Sequence, residues 1–267
     1  MSLKRKFQPA FFENNITMGA KQSNMSAAQK QQYHPAQKRA KPRSSSTASN
    51  TAAAAAARHN NKPTTQPVAN PIPQFDEQQC RLLFKKYADP DTPNTISPEG
   101  MQRFFEDLGL SVEDVLVIAF AWKMNLQTMG YITENEWMHG MRELGTDSIE
   151  KLQAKRPELE NALNDAEQMK EMYRYTFGYA KNKDQKCMDV EVASALWSML
   201  LGPKFPIVQD FLTFLQEKCP VRVVNRDQWQ SFLEFAATVS PDLSDYDETS
   251  AWPVLFDEYV EWKREQA

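Results

Sequence analysis

Four segments of this chain begin with the same pattern, an apolar residue followed by a residue of a type that often caps helices. The four pairs are Ile96-Ser97, Ile132-Thr133, Met188-Asp189 and Val224-Asn225. Counted from each capping residue, positions 4, 7, 8 and 11 are apolar in every copy except at Gly140. Apolar residues at this spacing lie on one face of an α-helix. Each pair therefore predicts the start of an amphipathic helix.

The distances between these starts predict an internal repeat. Ile96 and Ile132 are 36 residues apart, and so are Met188 and Val224, whereas 56 residues separate the two pairs. Two pairs of helix-loop-helix units account for this spacing. The predicted fold class of the body is therefore all-α.

Capping residues support this register. Thr133 and Asn225 are each followed after three residues by Glu or Gln, the spacing of a capping box. Pro98 follows Ser97 at the first helical position, where a proline is tolerated. Further helices are predicted at residues 75–87, 112–124 with Ser111 as the cap, 167–181 and 207–216.

The repeated pattern also resembles the exit of an EF-hand calcium loop. Aligned on Ile132, the second loop has Gly130 and Glu136 where an EF-hand has its glycine and its last ligand. Its first three ligand positions hold Asn125, Gln127 and Met129, and the first loop ends on Gly100 where a ligand is needed. Calcium requires six to eight oxygen ligands. We therefore predict EF-hand-like units without calcium or other metal sites, and a degenerate calcium sensor is the alternative.

The first 74 residues differ in charge from the rest of the chain. Before Phe75, eleven Lys and Arg residues accompany one acid, which leaves 20 basic and 34 acidic residues in the remainder. Aromatic residues are few in this segment, so it has too little apolar surface to offset the loss of chain entropy on folding. Residues 1–74 are therefore predicted to form a disordered basic tail, and residues 75–267 a folded acidic domain.

Two clusters in the tail have the composition of nuclear localisation signals, namely Lys4, Arg5 and Lys6, and Lys38, Arg39, Lys41 and Arg43. They favour a nuclear location, with the cytoplasm left open as a second one. The alternative is an adaptor that binds nucleic acid through its tail. The body has the wrong charge for a phosphate-binding surface, so nucleic acid is not expected as a partner.

The body lacks the sequence patterns of catalytic sites. It has no glycine-rich phosphate loop and no paired-histidine metal motif, and His139 falls on an amphipathic helix as a surface or rim residue. The three cysteines are odd in number and far apart, as is typical of reduced thiols. The longest apolar run, residues 115–122, is too short to span a membrane. We expect a binding scaffold that is neither an enzyme nor a membrane protein and needs no cofactor.

The last predicted helix has two different faces. Trp252, Leu255, Phe256, Tyr259 and Trp262 fall on one face at helical spacing, and Asp257, Glu258 and Glu261 fall on the other. Pro253 fits only in the first turn, so the helix is predicted to start near Ser250 or Ala251. The aromatic face is typical of a lid over the core.

Six motifs in the body resemble the defective-in-cullin-neddylation family and its potentiating-neddylation (PONY) domain. They are Ile149-Glu-Lys-Leu152, Tyr179-Ala-Lys-Asn-Lys-Asp-Gln185, Ala195-Leu-Trp197, Arg226-Asp-Gln-Trp229, Leu243-Ser-Asp-Tyr-Asp-Glu248 and the stretch from Ala251 to Trp262. The resemblance runs from Phe75 to about Trp262 and identifies residues 75–267 with that domain, and the basic extension is similar to the nuclear, longer-tailed members. It implies a scaffold-type co-ligase that holds a cullin and the conjugating enzyme of a ubiquitin-like modifier together.

The resemblance implies two binding sites. The cullin-binding residues would be Asp227, Ala251 and Asp257, which would face basic residues on the cullin's C-terminal winged-helix segment. An apolar pocket would take the N-acetylated methionine of the conjugating enzyme, lined by Met101, Val117, Ala121, Met124, Ile132, Tyr179 and Met199. The RING subunit of cullin ligases is a further candidate partner.

Overall fold

The computed structural model describes residues 75–266; the tail with its two basic clusters lies outside the described residues. Residues 75–266 form eleven helices and four two-residue strands, in agreement with the predicted all-α class. The first half contains α1 (Glu77–Tyr87), β1 (Thr95–Ile96), α2 (Pro98–Leu108), α3 (Val115–Lys123), β2 (Ile132–Thr133) and α4 (Glu134–Glu143). Two short helices follow, α5 (Ile149–Ala154) and α6 (Arg156–Asn164). The second half contains α7 (Ala166–Ala180), β3 (Met188–Asp189), α8 (Val190–Leu200), α9 (Ile207–Lys218), β4 (Val223–Val224), α10 (Arg226–Thr238) and α11 (Val254–Glu265).

The residues 36 positions apart in sequence are direct neighbours in space. Strands β1 and β2 pair antiparallel with Ile96 opposite Ile132, and β3 and β4 pair antiparallel with Met188 opposite Val224. All four side chains are buried. Each half is therefore a pair of helix-loop-helix units joined by a two-stranded ribbon, as the repeat predicts; the closer likeness to EF-hands stays a prediction.

Both predicted capping boxes are confirmed. The side chain of Thr133 accepts from the N–H of Glu136, and the Glu136 carboxylate accepts from the N–H of Thr133 in return. Asn225 and Gln228 form the same reciprocal pair at α10, with both distances 2.9 Å. Ser97 lies at an N-cap as predicted, although its side chain makes no capping hydrogen bond.

Two predicted helix starts are wrong. Helix α3 starts at Val115, because Asp114 is its cap and accepts from the N–H of Leu116 at 2.9 Å. Helix α11 starts at Val254, with Pro253 at the N-cap in an extended conformation (ψ 138°). A residue that precedes proline avoids the α conformation, so the chain cannot turn helical as early as Ser250.

The core of the second half is built around Tyr173. Its hydroxyl donates to the carbonyl of Trp229 at 2.6 Å and accepts from the indole N–H of Trp197 at 2.8 Å. The indole N–H of Trp229 donates to the Tyr173 carbonyl at 2.9 Å, and all three side chains are buried. The inward positions that the repeat predicts in α8 and α10 are therefore confirmed at both tryptophans.

The aromatic face of α11 closes this core, as predicted. Phe256 packs against Phe235 of α10 with ring centroids 4.9 Å apart, and Tyr259 packs edge-on against Phe211 of α9 at 5.2 Å. Leu255, Val260 and Trp262 of α11 are buried as well. Within residues 75–266, no helix is both long and apolar enough to cross a membrane.

Gly140 interrupts the apolar template because the end of α3 presses against α4 at this point. A Cβ atom on Gly140 would lie 2.5 Å from the sulfur of Met124 and 3.0 Å from its Cα. Gly100 has a similar reason, since a Cβ there would lie 2.1 Å from the carbonyl oxygen of Tyr87. The shortest distance at each glycine is well below van der Waals contact. A side chain at either position would therefore clash with the neighbouring residue.

Candidate functional site

Helix α11 presents an exposed face opposite its aromatic one. Val254, Asp257, Glu258 and Glu261 follow the helical spacing of 3, 4 and 7 residues, and none of them is buried. Nine ion pairs form within residues 75–266, and none of them uses the three carboxylates of this face. Their negative charge is therefore available to a partner.

Asp257 is held in place by a residue of the preceding loop. The hydroxyl of Tyr246 donates to one oxygen of the half-buried Asp257 carboxylate. The Tyr246 ring packs edge-on against Phe235 at 6.2 Å, and the guanidinium of Arg264 lies over the Tyr246 ring, 5.9 Å from its centroid. Burial, followed by the neighbouring Asp257 carboxylate, raises the pKa of Tyr246. The tyrosine therefore remains a hydrogen-bond donor at neutral pH.

The other two predicted cullin-binding residues are also at the surface. Ala251 is exposed in the segment before α11, and the next residue, Trp252, packs edge-on against Phe235 at 5.5 Å. Asp227 is exposed in the first turn of α10, eight residues before Phe235. Eight residues span about 12 Å along a helix. The helix that carries Asp227 is thus the one onto which the segment with Ala251 is packed.

The loop between α10 and α11 adds further negative charge. Asp242 accepts from the hydroxyl of Ser240 at 2.6 Å and from the N–H of Ser244 at 3.1 Å. These bonds lower the pKa of Asp242 to about 2, with the Ser240 hydroxyl as the main cause. The pKa of Asp245 is lowered by the N–H and hydroxyl of Ser240, and that of Asp247 by the hydroxyl and N–H of Thr249. Hydrogen bonding thus keeps this loop anionic.

A small apolar pocket lies between the two halves of the body. Its cavity volume is about 10 Å³, and it is lined by Met101, Val112, Val117, Ile118, Met129, Gly130, Tyr179 and Met199. Four of the seven residues predicted for the acetyl-methionine pocket are in this lining, namely Met101, Val117, Tyr179 and Met199. Tyr179 and Met199 belong to α7 and α8, and the other six lining residues belong to the first half.

The remaining three predicted residues, Ala121, Met124 and Ile132, are buried in the core outside this lining. Met124 lies under Gly140, Ile132 is in the ribbon, and the carbonyl of Ala121 accepts from the hydroxyl of Tyr175 at 2.9 Å. Each of them thus faces another element of the body. Helical spacing identifies an inward side chain, but it does not distinguish a pocket wall from a core position.

Four lining residues were absent from the sequence-based set, namely Val112, Ile118, Met129 and Gly130. Met129 reaches the pocket because its N–H donates to the carbonyl of Tyr179 at 3.0 Å. This bond joins the second loop of the first half to the end of α7. A sequence pattern within one segment cannot indicate a contact between residues so far apart in the chain.

The body of the chain is similar in sequence to known proteins. A family model described as "Cullin binding" matches residues 151–262. DCN1-like protein 4 from Drosophila melanogaster is 42% identical over 192 residues, which cover 72% of this chain and 77% of that protein. DCN1-like protein 5 from Homo sapiens is 43% identical over 190 residues, 71% of this chain and 79% of that protein. The chain belongs to the DCN1-like family.

The cullin-binding region of this DCN1-like chain contains one candidate site completely and the other in part. The matched residues 151–262 include Asp227, Ala251 and Asp257. They also include Tyr179 and Met199 of the pocket, whereas the other lining residues precede the match. The acidic surface is therefore the candidate site that the cullin-binding family model covers completely.

Two loops of this DCN1-like chain are held by hydrogen bonds from their backbone N–H groups to the carboxylates of Asp89 and Glu136. One oxygen of Glu136, at the position of the last EF-hand ligand, accepts from the N–H of Gln127 at 2.8 Å, and the other accepts from the N–H of Thr133 at 2.9 Å. In the first loop, Asp89 accepts from the N–H groups of Asp91 and Thr92. Within residues 75–266, no three His, Cys, Asp or Glu residues are grouped closely enough to hold an ion.

Proposed function

We propose that this chain is a scaffold-type co-ligase for cullin neddylation. It binds the C-terminal winged-helix segment of a cullin and the N-acetylated conjugating enzyme, and it promotes transfer of the ubiquitin-like modifier to a cullin lysine. The single observation that carries this proposal is the cullin-binding match at residues 151–262, which contains Asp227, Ala251 and Asp257. All three residues have surface accessible to a partner.

Charge would guide the cullin to this surface. Three carboxylates of α11 form no ion pair, and together with the anionic loop before the helix they make a negative region that complements Lys and Arg side chains. Complementary potentials raise association rates and exclude wrongly charged partners more than they raise affinity. Asp257 is already oriented by Tyr246 in the unbound chain. Less ordering entropy is then lost when a cation binds to it.

The pocket between the halves would receive the acetylated methionine of the conjugating enzyme. Its lining is apolar, so a free ammonium group would lose its hydration there without compensation, whereas an acetylated amine carries no charge. The cavity volume of about 10 Å³ is too small for a methionine side chain, so the lining, which includes Met101, Met129 and Met199, would have to open for the ligand. Methionine side chains are flexible enough to move aside for a ligand of matching shape.

Rate enhancement in this proposal comes from proximity alone. A cullin and a charged conjugating enzyme that are bound to one body meet at an effective concentration in the millimolar range or above. The attacking lysine and the thioester are then held in a restricted geometry, which removes much of the entropic cost of their encounter. The scaffold needs two binding sites for this task and supplies no nucleophile. The RING subunit of the cullin ligase would be held nearby as a further partner.

A reconstituted neddylation assay tests the proposal. The full chain should accelerate modification of at least one cullin, and Asp257→Lys and Asp227→Lys should each abolish the acceleration. Glu143→Lys is the matched control, because Glu143 is exposed on α4 and forms none of the ion pairs. Equal acceleration by all four proteins would refute the assignment of the surface. No acceleration by the unmodified chain with any cullin would refute the function.

The basic tail would direct this activity to the nucleus, with the cytoplasm as a second location. The clusters at Lys4, Arg5 and Lys6 and at Lys38, Arg39, Lys41 and Arg43 would bind an import receptor. Residues 1–74 fused to a fluorescent reporter should accumulate in the nucleus, and Ala substitutions in both clusters should prevent it. A reporter that stays evenly distributed with the intact tail would contradict this assignment.

A further inference from the structure

Val254 is a large aliphatic residue that is exposed to solvent. Its side chain is 69% exposed, the highest value among the three exposed large hydrophobic residues within residues 75–266. It occupies the first position of α11, three residues before Asp257 and three after Ala251. An isolated exposed valine is ordinary on a protein surface. This one lies within the surface assigned to the cullin.

The backbone on both sides of Val254 is firmly held. Pro253 has a fixed φ, and its carbonyl accepts from the N–H of Phe256 at 2.8 Å. The ring of Trp252 packs against Phe235, and the next two residues of the helix, Leu255 and Phe256, are buried. Valine itself has few rotamers. A partner that covers this side chain therefore loses little conformational entropy in doing so.

The surroundings of Val254 specify the chemistry of what covers it. Residues 3, 4 and 7 positions further along the same helical face are Asp257, Glu258 and Glu261, which carry unpaired negative charge. Asp247 and Glu248 precede it in the loop, and of these two Glu248 is paired with Arg264. An apolar contact beside several carboxylates fits a partner segment in which an aliphatic side chain is flanked by Lys or Arg.

We propose that Val254 is the apolar anchor of the cullin-binding surface, and that it packs against an aliphatic side chain next to the basic residues of the cullin segment. This inference rests on the proposed function and adds the apolar half of the recognition. The carboxylates supply orientation and speed of association, and Val254 supplies affinity that does not depend on salt. Water excluded from this contact would also strengthen the neighbouring charge pairs.

The test compares the binding of full-length variants to an isolated cullin C-terminal domain at low and high salt. Val254→Ala removes only exposed methyl groups and replaces valine by a better helix former, so the fold should be unaffected. It should weaken binding roughly tenfold, and by the same factor at both salt concentrations. Asp257→Asn should also weaken binding, by a factor that shrinks as salt rises.

Leu82→Ala is the matched control, because Leu82 of α1 is also an exposed aliphatic residue, at 61%. It should bind like the unmodified chain. If Val254→Ala also binds like the unmodified chain while Asp257→Asn weakens binding, the anchor is refuted and the proposed function stands. If the unmodified chain binds no cullin domain, the proposed function itself fails. If the unmodified chain forms dimers that Val254→Ala dissociates, a second copy covers Val254 and the inference is overturned.

Discussion

The hydroxyl group of Tyr246 donates a hydrogen bond to the carboxylate of Asp257, which lies 11 residues further along the chain. The bond joins the irregular loop after α10 to the exposed face of α11. The Tyr246 ring contacts both the ring of Phe235 and the guanidinium of Arg264, and Arg264 pairs with Glu248 of the same loop at 2.5 Å. The orientation of Asp257 is therefore fixed by tertiary packing.

Removal of this hydroxyl should weaken cullin binding without loss of the fold. Tyr246→Phe keeps the ring against Phe235 but leaves Asp257 free to rotate. We expect cullin affinity to fall about three- to tenfold, which corresponds to the net contribution of an ordinary intramolecular hydrogen bond, because the charge of Asp257 remains. Isothermal titration calorimetry measures the affinity, and thermal unfolding should show nearly the same Tm. An unchanged affinity would show that Tyr246 does not position Asp257.

Acid should cancel the contribution of Asp242 to stability. The folded-state pKa of Asp242 is about 2, below its ordinary value of 3.8, so the unfolded chain binds this proton more readily. The stabilisation is complete well above pH 3.8, at about pH 5 and higher, and is lost as the pH falls towards 2. Asp242→Ala should therefore have a lower Tm than the unmodified chain near neutral pH, and the difference should shrink between about pH 5 and pH 2. A difference that stays constant over this range would contradict the assignment.

Two glycines in helices should respond to alanine in opposite directions. Gly140→Ala places a Cβ 2.5 Å from the sulfur of Met124, so the free energy of unfolding should fall by about 1–3 kcal/mol. Gly178 lies in α7, where an added Cβ would have no atom within 4 Å beyond the backbone of its own helix, so Gly178→Ala should raise that free energy by about 0.5–1 kcal/mol. Urea denaturation measures both values. Changes of the same sign would show that the close packing at Gly140 does not determine its identity.

The pocket should distinguish an acetylated from a free N-terminus. A peptide with the N-terminal sequence of the conjugating enzyme and an acetyl-Met start should bind, and the same peptide with a free amine should bind at least about tenfold more weakly because of the cost of removing water from the ammonium. Fluorescence polarisation with labelled peptides measures both. Met199→Lys, which places a charge in the lining, should weaken binding of the acetylated peptide, whereas Lys170→Met on the exposed side of α7 should not. Equal binding of the two peptides would refute the pocket.

Features set by local chemistry could be predicted from the sequence. The register of the four units, both capping boxes and the inward tryptophans follow from spacing along single segments, and the structure confirms them. The starts of α3 and α11 depended on which of two nearby residues caps the helix, and the prediction chose the earlier one each time. Helices α5 and α6 were not predicted, because segments of six and nine residues show little periodicity.

Features that depend on distant contacts could not be predicted. The pocket exists where the second loop meets α7 through the bond from Met129 to Tyr179, 50 residues away in sequence. The family resemblance placed Ala121, Met124 and Ile132 in the pocket wall; all three are buried, but outside the lining of the pocket. Tyr246 lay within a motif of the family resemblance, but its bond to Asp257 required the loop to fold back onto α11.

The two carboxylate oxygens of Glu136 accept hydrogen bonds from the backbone of Gln127 and Thr133, and these bonds hold the loop in one shape. A loop organised around a bound ion changes conformation when the concentration of that ion changes, as signalling proteins require. Here the organising group is the side chain of Glu136, so Gln127 and Thr133 keep their positions through bonds within the protein. Met129, two residues after Gln127, lines the pocket. The loop that carries Met129 to the pocket is thus shaped by a side chain of the protein itself.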